Sequence, residues 1–245
     1  MSEVVVNDNL VMICGEPIAG KTASLMKLDN HPGVMYLNCD AGKKPPFANK
    51  FEAYVITDPY DIYDAFEHAE ERDDIHSIIV DTQTFLMDMF ESIHVIPSAD
   101  TQKAWGSYAE YFRNLMQLYV ARSTKNVIFT AHIESYLNEE AGRMEKKIPV
   151  KGQLGKKGIE AFFSCIVTAR VETTDRLKKF ANPLLTISED EEEIGVKHVF
   201  QTRPTKATIG ERGMRAPMDM WSRKETFINN DCQLVMDRLN QFYNE

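Results

Sequence analysis

Apolar residues along this chain gather in short runs, each ending abruptly in a polar residue or a glycine. Leu10-Val11-Met12-Ile13-Cys14 stops at Gly15, and Val34-Met35-Tyr36-Leu37-Asn38-Cys39 stops at Asp40. Ser77-Ile78-Ile79-Val80 stops at Asp81, and Asn126-Val127-Ile128-Phe129-Thr130-Ala131 stops at His132. Continuous runs of this kind, rich in branched side chains, predict strands buried on both faces, as in a parallel sheet. Phe51-Glu52-Ala53-Tyr54-Val55-Ile56 alternates less cleanly but also predicts a strand. Between the runs the period becomes helical. Thr22 to Leu28 predicts one helix, and Asp58-Pro59 predicts the cap of another that runs to about Arg72, with Ile62, Ala65, Phe66 and Ala69 on one face. Phe85 to Phe90 and Trp105 to Tyr119 predict two more, separated by Ile96-Pro97-Ser98-Ala99-Asp100. Strands alternating with helices predict an α/β fold, a mostly parallel sheet flanked by helices.

The last third changes character. A long polar segment from Glu134 to about Gly158 precedes a strand-like stretch, Ala161 to Val171. Leu184-Leu185-Thr186-Ile187 and His198-Val199-Phe200-Gln201-Thr202 predict an antiparallel hairpin with the acidic run Glu189 to Glu193 as its exposed tip. Asp231 to Tyr243 predicts a closing amphipathic helix. No repeat or low-complexity linker divides the chain. The expected organisation is one domain over 1–245, with a core at about 8–203 and an extension at about 204–245.

Composition narrows this further. A chain of 245 residues can enclose a full α/β core. Cys14, Cys39, Cys165 and Cys232 are scattered and never form C-x-x-C, so they read as small buried hydrophobes in a reducing compartment. Met1-Ser2-Glu3 is not the start of a signal peptide, and no apolar run approaches a membrane span. The expectation is a cytoplasmic protein with no membrane partner. A net charge of −9 argues against a uniformly basic nucleic-acid coat but leaves room for a local basic patch.

The chemistry centres on Gly15-Glu16-Pro17-Ile18-Ala19-Gly20-Lys21-Thr22, which fits G-x-x-x-x-G-K-[ST] between a strand and a helix. Its glycines let the backbone close round a phosphate, with backbone N–H groups and the helix N-terminus facing the anion. With Ala23 this stretch is the expected binding loop for a nucleoside triphosphate. Lys21 is expected on the β- and γ-phosphates and the Thr22 hydroxyl on Mg²⁺. In an open α/β sheet, ligands bind outside the carboxyl ends of the strands, so Asp40, Asp81 and His132 are aimed at the same place. Asp81 fits the carboxylate that holds Mg²⁺ or its water shell. Asp40 fits the group that orients or deprotonates an attacking water, and His132 a contact to the γ-phosphate. On residue chemistry alone, Asp81 also fits a helix cap, Asp40 a turn and His132 a structural strand end.

In order and spacing these segments resemble the RecA-like P-loop ATPase core, most closely the phage ATP-binding proteins grouped with RecA-like single-strand annealing proteins. Tyr36 to Asp40 is similar to the strand that ends in the catalytic carboxylate, Ser77 to Thr82 to the Walker B strand, and Val127 to His132 to the strand whose end senses the γ-phosphate. The resemblance covers roughly residues 8–203, and Asp40 stands where recombinases usually carry Glu. It implies an ATP- and Mg²⁺-dependent DNA recombination protein, a homo-oligomeric ring or filament in a host cytoplasm, with single-stranded DNA and a single-strand binding protein as partners. It also implies DNA contacts in the loop after the sensor strand, here Arg143, Lys146, Lys147, Lys151, Lys156 and Lys157, with Gly152, Gly155 and Gly158 keeping that loop mobile. Read without the resemblance, the same segment is a solvated loop. Arg203, Lys206 and Arg212 match the region from which a basic residue reaches a neighbouring subunit's γ-phosphate; each also reads as a surface charge. Two other functions fit the P-loop: a small-molecule kinase, for which the Lys-rich segment is a poor lid, and a nucleotide-gated regulatory or assembly protein with little turnover.

Overall fold

The apolar runs form neighbouring strands. The computed structural model describes residues 7–140 and 142–244, so the start Met1-Ser2-Glu3 lies outside the described residues. In chain order the strands are β1 (Leu10–Gly15), β2 (Val34–Asn38), β3 (Glu52–Val55), β4 (Ser77–Asp81), β5 (Asn126–His132), β6 (Glu134–Asn138), β7 (Arg143–Lys147), β8 (Cys165–Thr173), β9 (Val196–Gln201) and β10 (Phe227–Asn229). The helices are α1 (Asp61–Glu70), α2 (Gln83–Phe90), α3 (Thr101–Asn114), α4 (Gly152–Lys157), α5 (Thr174–Leu177), α6 (Glu189–Ile194) and α7 (Cys232–Asn244). Eight strands make one sheet in the order β10-β9-β8-β1-β5-β4-β2-β3, parallel from β8 to β3, with β9 antiparallel to both of its neighbours. This is the mostly parallel α/β architecture expected from the alternation, with an antiparallel element added near the C-terminus.

Alternate residues of each strand feed two cores, as the two-residue period of a strand requires. Leu10 and Met12, with Ile78, Val80, Val127 and Phe129, pack with Phe66, Phe90, Tyr111 and Phe112 on one face. Val11 and Ile13, with Ile79 and Ile128, pack with Leu25, Trp221, Val235 and Leu239 on the other. The register sets Gly15 beside His132 and Asn38 beside Asp81, so the polar strand ends share one edge. All four cysteines are free and buried. No helix among the described residues is long and apolar enough to cross a membrane.

Several local expectations are corrected. The stretch after Thr22 is a short 3-10 helix, Thr22–Lys27. Asp58 does not cap α1; its Oδ1 accepts from Tyr60 N at 2.9 Å, and the helix begins at Asp61. The polar segment after His132 is an antiparallel hairpin, β6–β7, followed by α4. The segment 184–187 is not a hairpin strand, because β9 takes β8 and β10 as partners. The acidic run forms α6 rather than a hairpin tip: Ser188 and Glu191 make a capping box, and four carboxylates in the first turn suit the positive end of a helix. The strand expected from Ala161 begins at Cys165, after a 3-10 turn at Glu160–Phe162.

Candidate functional site

The loop after β1 is shaped by backbone geometry. Ala19 N donates to Glu16 O at 3.2 Å, closing a turn with Pro17 and Ile18 at its centre, and Ile18 has φ of 67°. Proline followed by a left-handed residue is the arrangement of a type II turn, which favours Gly or Asn where Ile18 stands. Gly20 has φ of 95°. A Cβ on Gly15 would meet Ala169 O of β8 at 2.7 Å, so only glycine lets the loop leave the sheet there.

Lys21 folds back over its own loop. Its Nζ donates to Gly15 O at 3.1 Å and Glu16 O at 3.0 Å, and lies 3.3 Å from His132 Nδ1. Burial lowers its pKa from 10.5 to about 8. Burial, then the Lys21 charge, also lowers His132, which favours a neutral ring. With Nδ1 accepting from Lys21, the ring proton belongs on Nε2, leaving that N–H as the donor His132 can offer a ligand.

Asp81 is 3% exposed and accepts from three hydroxyls: Thr22 at 3.0 Å, Tyr36 at 2.5 Å, and Thr130. Burial and the Asp81 carboxylate push the Tyr36 phenol far up, keeping it a donor. Tyr36 and Thr130 belong to β2 and β5, the strands on either side of β4. Sequence reasoning missed both, since a Tyr and a Thr inside apolar runs gain meaning only once the strand order is known. Asp40 sits in a tight turn held by Asn38, which accepts from Asp40 N at 3.0 Å and donates to Lys43 O at 2.8 Å. Its Oδ2 lies 3.7 Å from Lys43 Nζ.

Lys21, Thr22, Asp40, Asp81 and His132 all line one cavity of about 690 Å³ at the carboxyl ends of the strands. Pro17, Ile18, Gly20 and Ala23 line it too, whereas Glu16 turns aside toward the hairpin. The cavity is also lined by residues that sequence reasoning did not single out for this site, among them Met26, Thr186, His198, Asn229 and Asn230. The oxygens of Thr22 and Asp81 suit a hard divalent cation. Among the described residues no three His, Cys, Asp or Glu side chains form a self-sufficient metal cage. Mg²⁺ takes one or two protein oxygens and completes its shell with phosphate and water, a need that Thr22 and Asp81 could meet.

The basic segment is more ordered and more neutralised than expected. Arg143 pairs with Glu145 at 3.1 Å, Lys146 with Glu16 at 2.7 Å, Lys147 with Glu134 at 3.7 Å and Lys151 with Glu91 at 2.5 Å. Lys156 and Lys157 occupy the last turn of α4 and show no ion pair among the described residues. The glycines expected to keep this segment mobile instead shape it: Gly152 and Gly158 bracket α4 with φ of 59° and 76°, and a Cβ on Gly155 would meet Val150 O at 2.5 Å. Beside the hairpin lies a groove of about 420 Å³ lined by Tyr136, Glu139, Glu140, Lys147, Lys156 and Arg212. Lys147 Nζ stands 4.8 Å from the centre of the Tyr136 ring. Arg203, Lys206 and Arg212 are exposed and away from the 690 Å³ cavity of their own chain. Arg203 is tied down by a 2.7 Å bond to Trp221 O.

The model of the AAA domain family matches residues 7–211. No curated protein matches the chain.

Proposed function

The chain belongs to the AAA domain family, and on that premise we propose that it is a Mg²⁺-dependent ATPase whose turnover is coupled to single-stranded DNA, of the RecA-like annealing kind. The observation that carries the ATPase reading is the convergence of Lys21, Thr22, Asp40, Asp81 and His132 on one cavity. In this reading Lys21 leaves its loop carbonyls for the β- and γ-phosphate oxygens, and the loop N–H groups bind the same phosphates. Thr22 and Asp81 would hold Mg²⁺, which would offset phosphate charge. Asp40 takes the proton of a water whose oxygen attacks the γ-phosphorus, while the bond to the bridging oxygen breaks and ADP departs with that electron pair. The Nε2–H of His132 donates to a γ-phosphate oxygen.

The DNA half of the proposal rests on the groove beside the hairpin. Tyr136 offers a ring for base stacking, and Lys147, Lys156 and Arg212 offer cations for a phosphate backbone. β6 begins two residues after His132, so a change at the γ-phosphate has a short path to this surface. Assembly into a ring or filament would let Arg203, Lys206 or Arg212 approach a neighbour's cavity, and a single-strand binding protein is the expected companion. The test is ATP hydrolysis with and without single-stranded DNA, with Lys21→Ala as the blank. DNA-stimulated turnover that is lost when Lys147, Lys156 and Arg212 are neutralised supports the reading. Turnover indifferent to DNA, with no DNA binding at low salt, removes the DNA half and leaves the ATPase half standing.

One observation favours a second reading. Lys43 Nζ stands 3.7 Å from one oxygen of the Asp40 carboxylate that hydrolysis needs, and a competing cation there suits a nucleotide-gated assembly protein of slow turnover. Tight ATP binding with negligible hydrolysis, and assembly that follows nucleotide, would favour it.

A further inference from the structure

The phosphate loop is held by two side chains from the C-terminal strands, both of which also line the cavity. Nδ1 of His198, in β9, donates to Ala19 O at 3.1 Å. Nδ2 of Asn230, directly after β10, donates to Gly20 O at 2.9 Å. A trans peptide unit points its C=O and its N–H in opposite directions. Fixing the carbonyls of Ala19 and Gly20 toward these side chains therefore turns the N–H groups of Gly20 and Lys21 the other way, toward the phosphate position. Gly20 makes the approach possible, since a Cβ there would lie 2.7 Å from Asn230 Nδ2 and 3.1 Å from His198 Nδ1. The same C-terminal segment holds the helix that follows the loop. Asp231 pairs with Lys27 at 3.5 Å, and Gln233 Oε1 accepts from Asp29 N at 3.0 Å. Asn230, Asp231 and Gln233 all lie beyond the residues matched by the family model.

We propose that His198 and Asn230 are positioning residues of the nucleotide site, fixing the loop N–H groups on the β-phosphate of a nucleoside di- or triphosphate, and that the segment around 230–233 is part of that site. The inference rests on the reading of the loop as a nucleotide binder. Both side chains line the cavity themselves and hold the loop backbone, so they affect ligands that carry a β-phosphate.

The experiment is calorimetric binding of MgATP and MgADP to the full chain and to Asn230→Ala, His198→Leu and His198→Gln. Loss of one such hydrogen bond is expected to weaken both nucleotides about tenfold, by a common factor. His198→Gln keeps an N–H donor and is expected to recover most of the affinity that His198→Leu loses. A purely structural role would lower the thermal midpoint of the free protein without separating Leu from Gln at position 198. If Asn230→Ala does not fold, the His198 pair carries the test alone. Wild type that binds, with Asn230→Ala and His198→Leu binding within about twofold of it, overturns the inference and spares the loop reading. Wild type that binds no nucleotide overturns both.

Discussion

Lys146 of the β6–β7 hairpin reaches Glu16 of the phosphate loop, with Nζ 2.7 Å from Glu16 Oε1, and continues to Glu211 at 3.8 Å. The hydrogen bond and charge of Lys146 hold the Glu16 carboxyl below the usual carboxylate range. The pair ties the nucleotide loop to the β6–β7 hairpin, whose other face carries the Tyr136 groove. Both ends are partly exposed, so its energy is small, below about 1 kcal/mol, and screened by salt. Its effect on binding is more readily measured. Glu16→Gln removes one of the two carboxylates on Lys146, leaving Glu211, and is expected to tighten single-stranded DNA binding about twofold at low ionic strength, with the gain vanishing in high salt. Fluorescence anisotropy against a salt series reads this directly, and unchanged affinity at low salt takes Lys146 off the DNA surface.

Lys21 sets a pH dependence. Its folded-state value of about 8, against 10.5 when unperturbed, means that between these values the folded protein holds the neutral amine while the unfolded chain holds the ammonium. The unfolded state then binds more protons, so this group's contribution to stability rises with pH across that window. Nucleotide binding runs the other way, because the phosphates need the ammonium. ATP affinity is expected to fall as pH rises above about 8, and binding near pH 9 to take up a proton. Calorimetry in two buffers of different ionisation enthalpy reveals the uptake, and equal heats in both buffers at that pH contradict it.

Ile18 is 92% exposed with φ of 67°. A β-branched side chain in left-handed backbone costs about 1–2 kcal/mol, and here almost no burial offsets it. Ile18→Gly is expected to raise the unfolding free energy by about 1 kcal/mol, after the extra entropy that glycine loses on folding. Urea denaturation of the free protein is the measurement. A variant no more stable than wild type would mean that the left-handed backbone at Ile18 carries no net strain.

Much of this architecture follows from local pattern. The runs ending at Gly15, Asp40, Asp81 and His132 are buried strands because apolar, mostly branched residues dominate them, and strand ends in a parallel sheet meet at one edge. Tyr36, Thr130, His198 and Asn230 were not legible as site residues, because each acts through a neighbour fixed by strand order or by the chain's return at β9 and β10. The acidic run failed as a hairpin tip because Ser188 and Glu191 supply a reciprocal cap, a signal present in the sequence but outweighed there by the density of charge. The basic segment misled in another way: its carboxylate partners Glu16, Glu91 and Glu211 lie far away in sequence, so counting charges within the loop overstated how much of it is free.

The two readings of turnover divide at Asp40. If Asp40 accepts the proton of the attacking water, Asp40→Asn keeps the shape and loses the base. Hydrolysis is then expected to fall about 10²- to 10⁴-fold, with ATP affinity within about threefold of wild type, because the phosphate contacts come from Lys21 and the loop. Lys43→Ala asks what the 3.7 Å ion pair does. If Lys43 occupies the carboxylate in the resting site, removing it frees the base, and kcat is expected to equal or exceed that of wild type. A fall in kcat equal to that of Asp40→Asn would instead mean that Lys43 holds Asp40 in its working position. Single-turnover hydrolysis of labelled ATP separates these outcomes from any change in product release. A wild-type rate already as slow as Asp40→Asn would remove the base from Asp40 and favour the assembly reading.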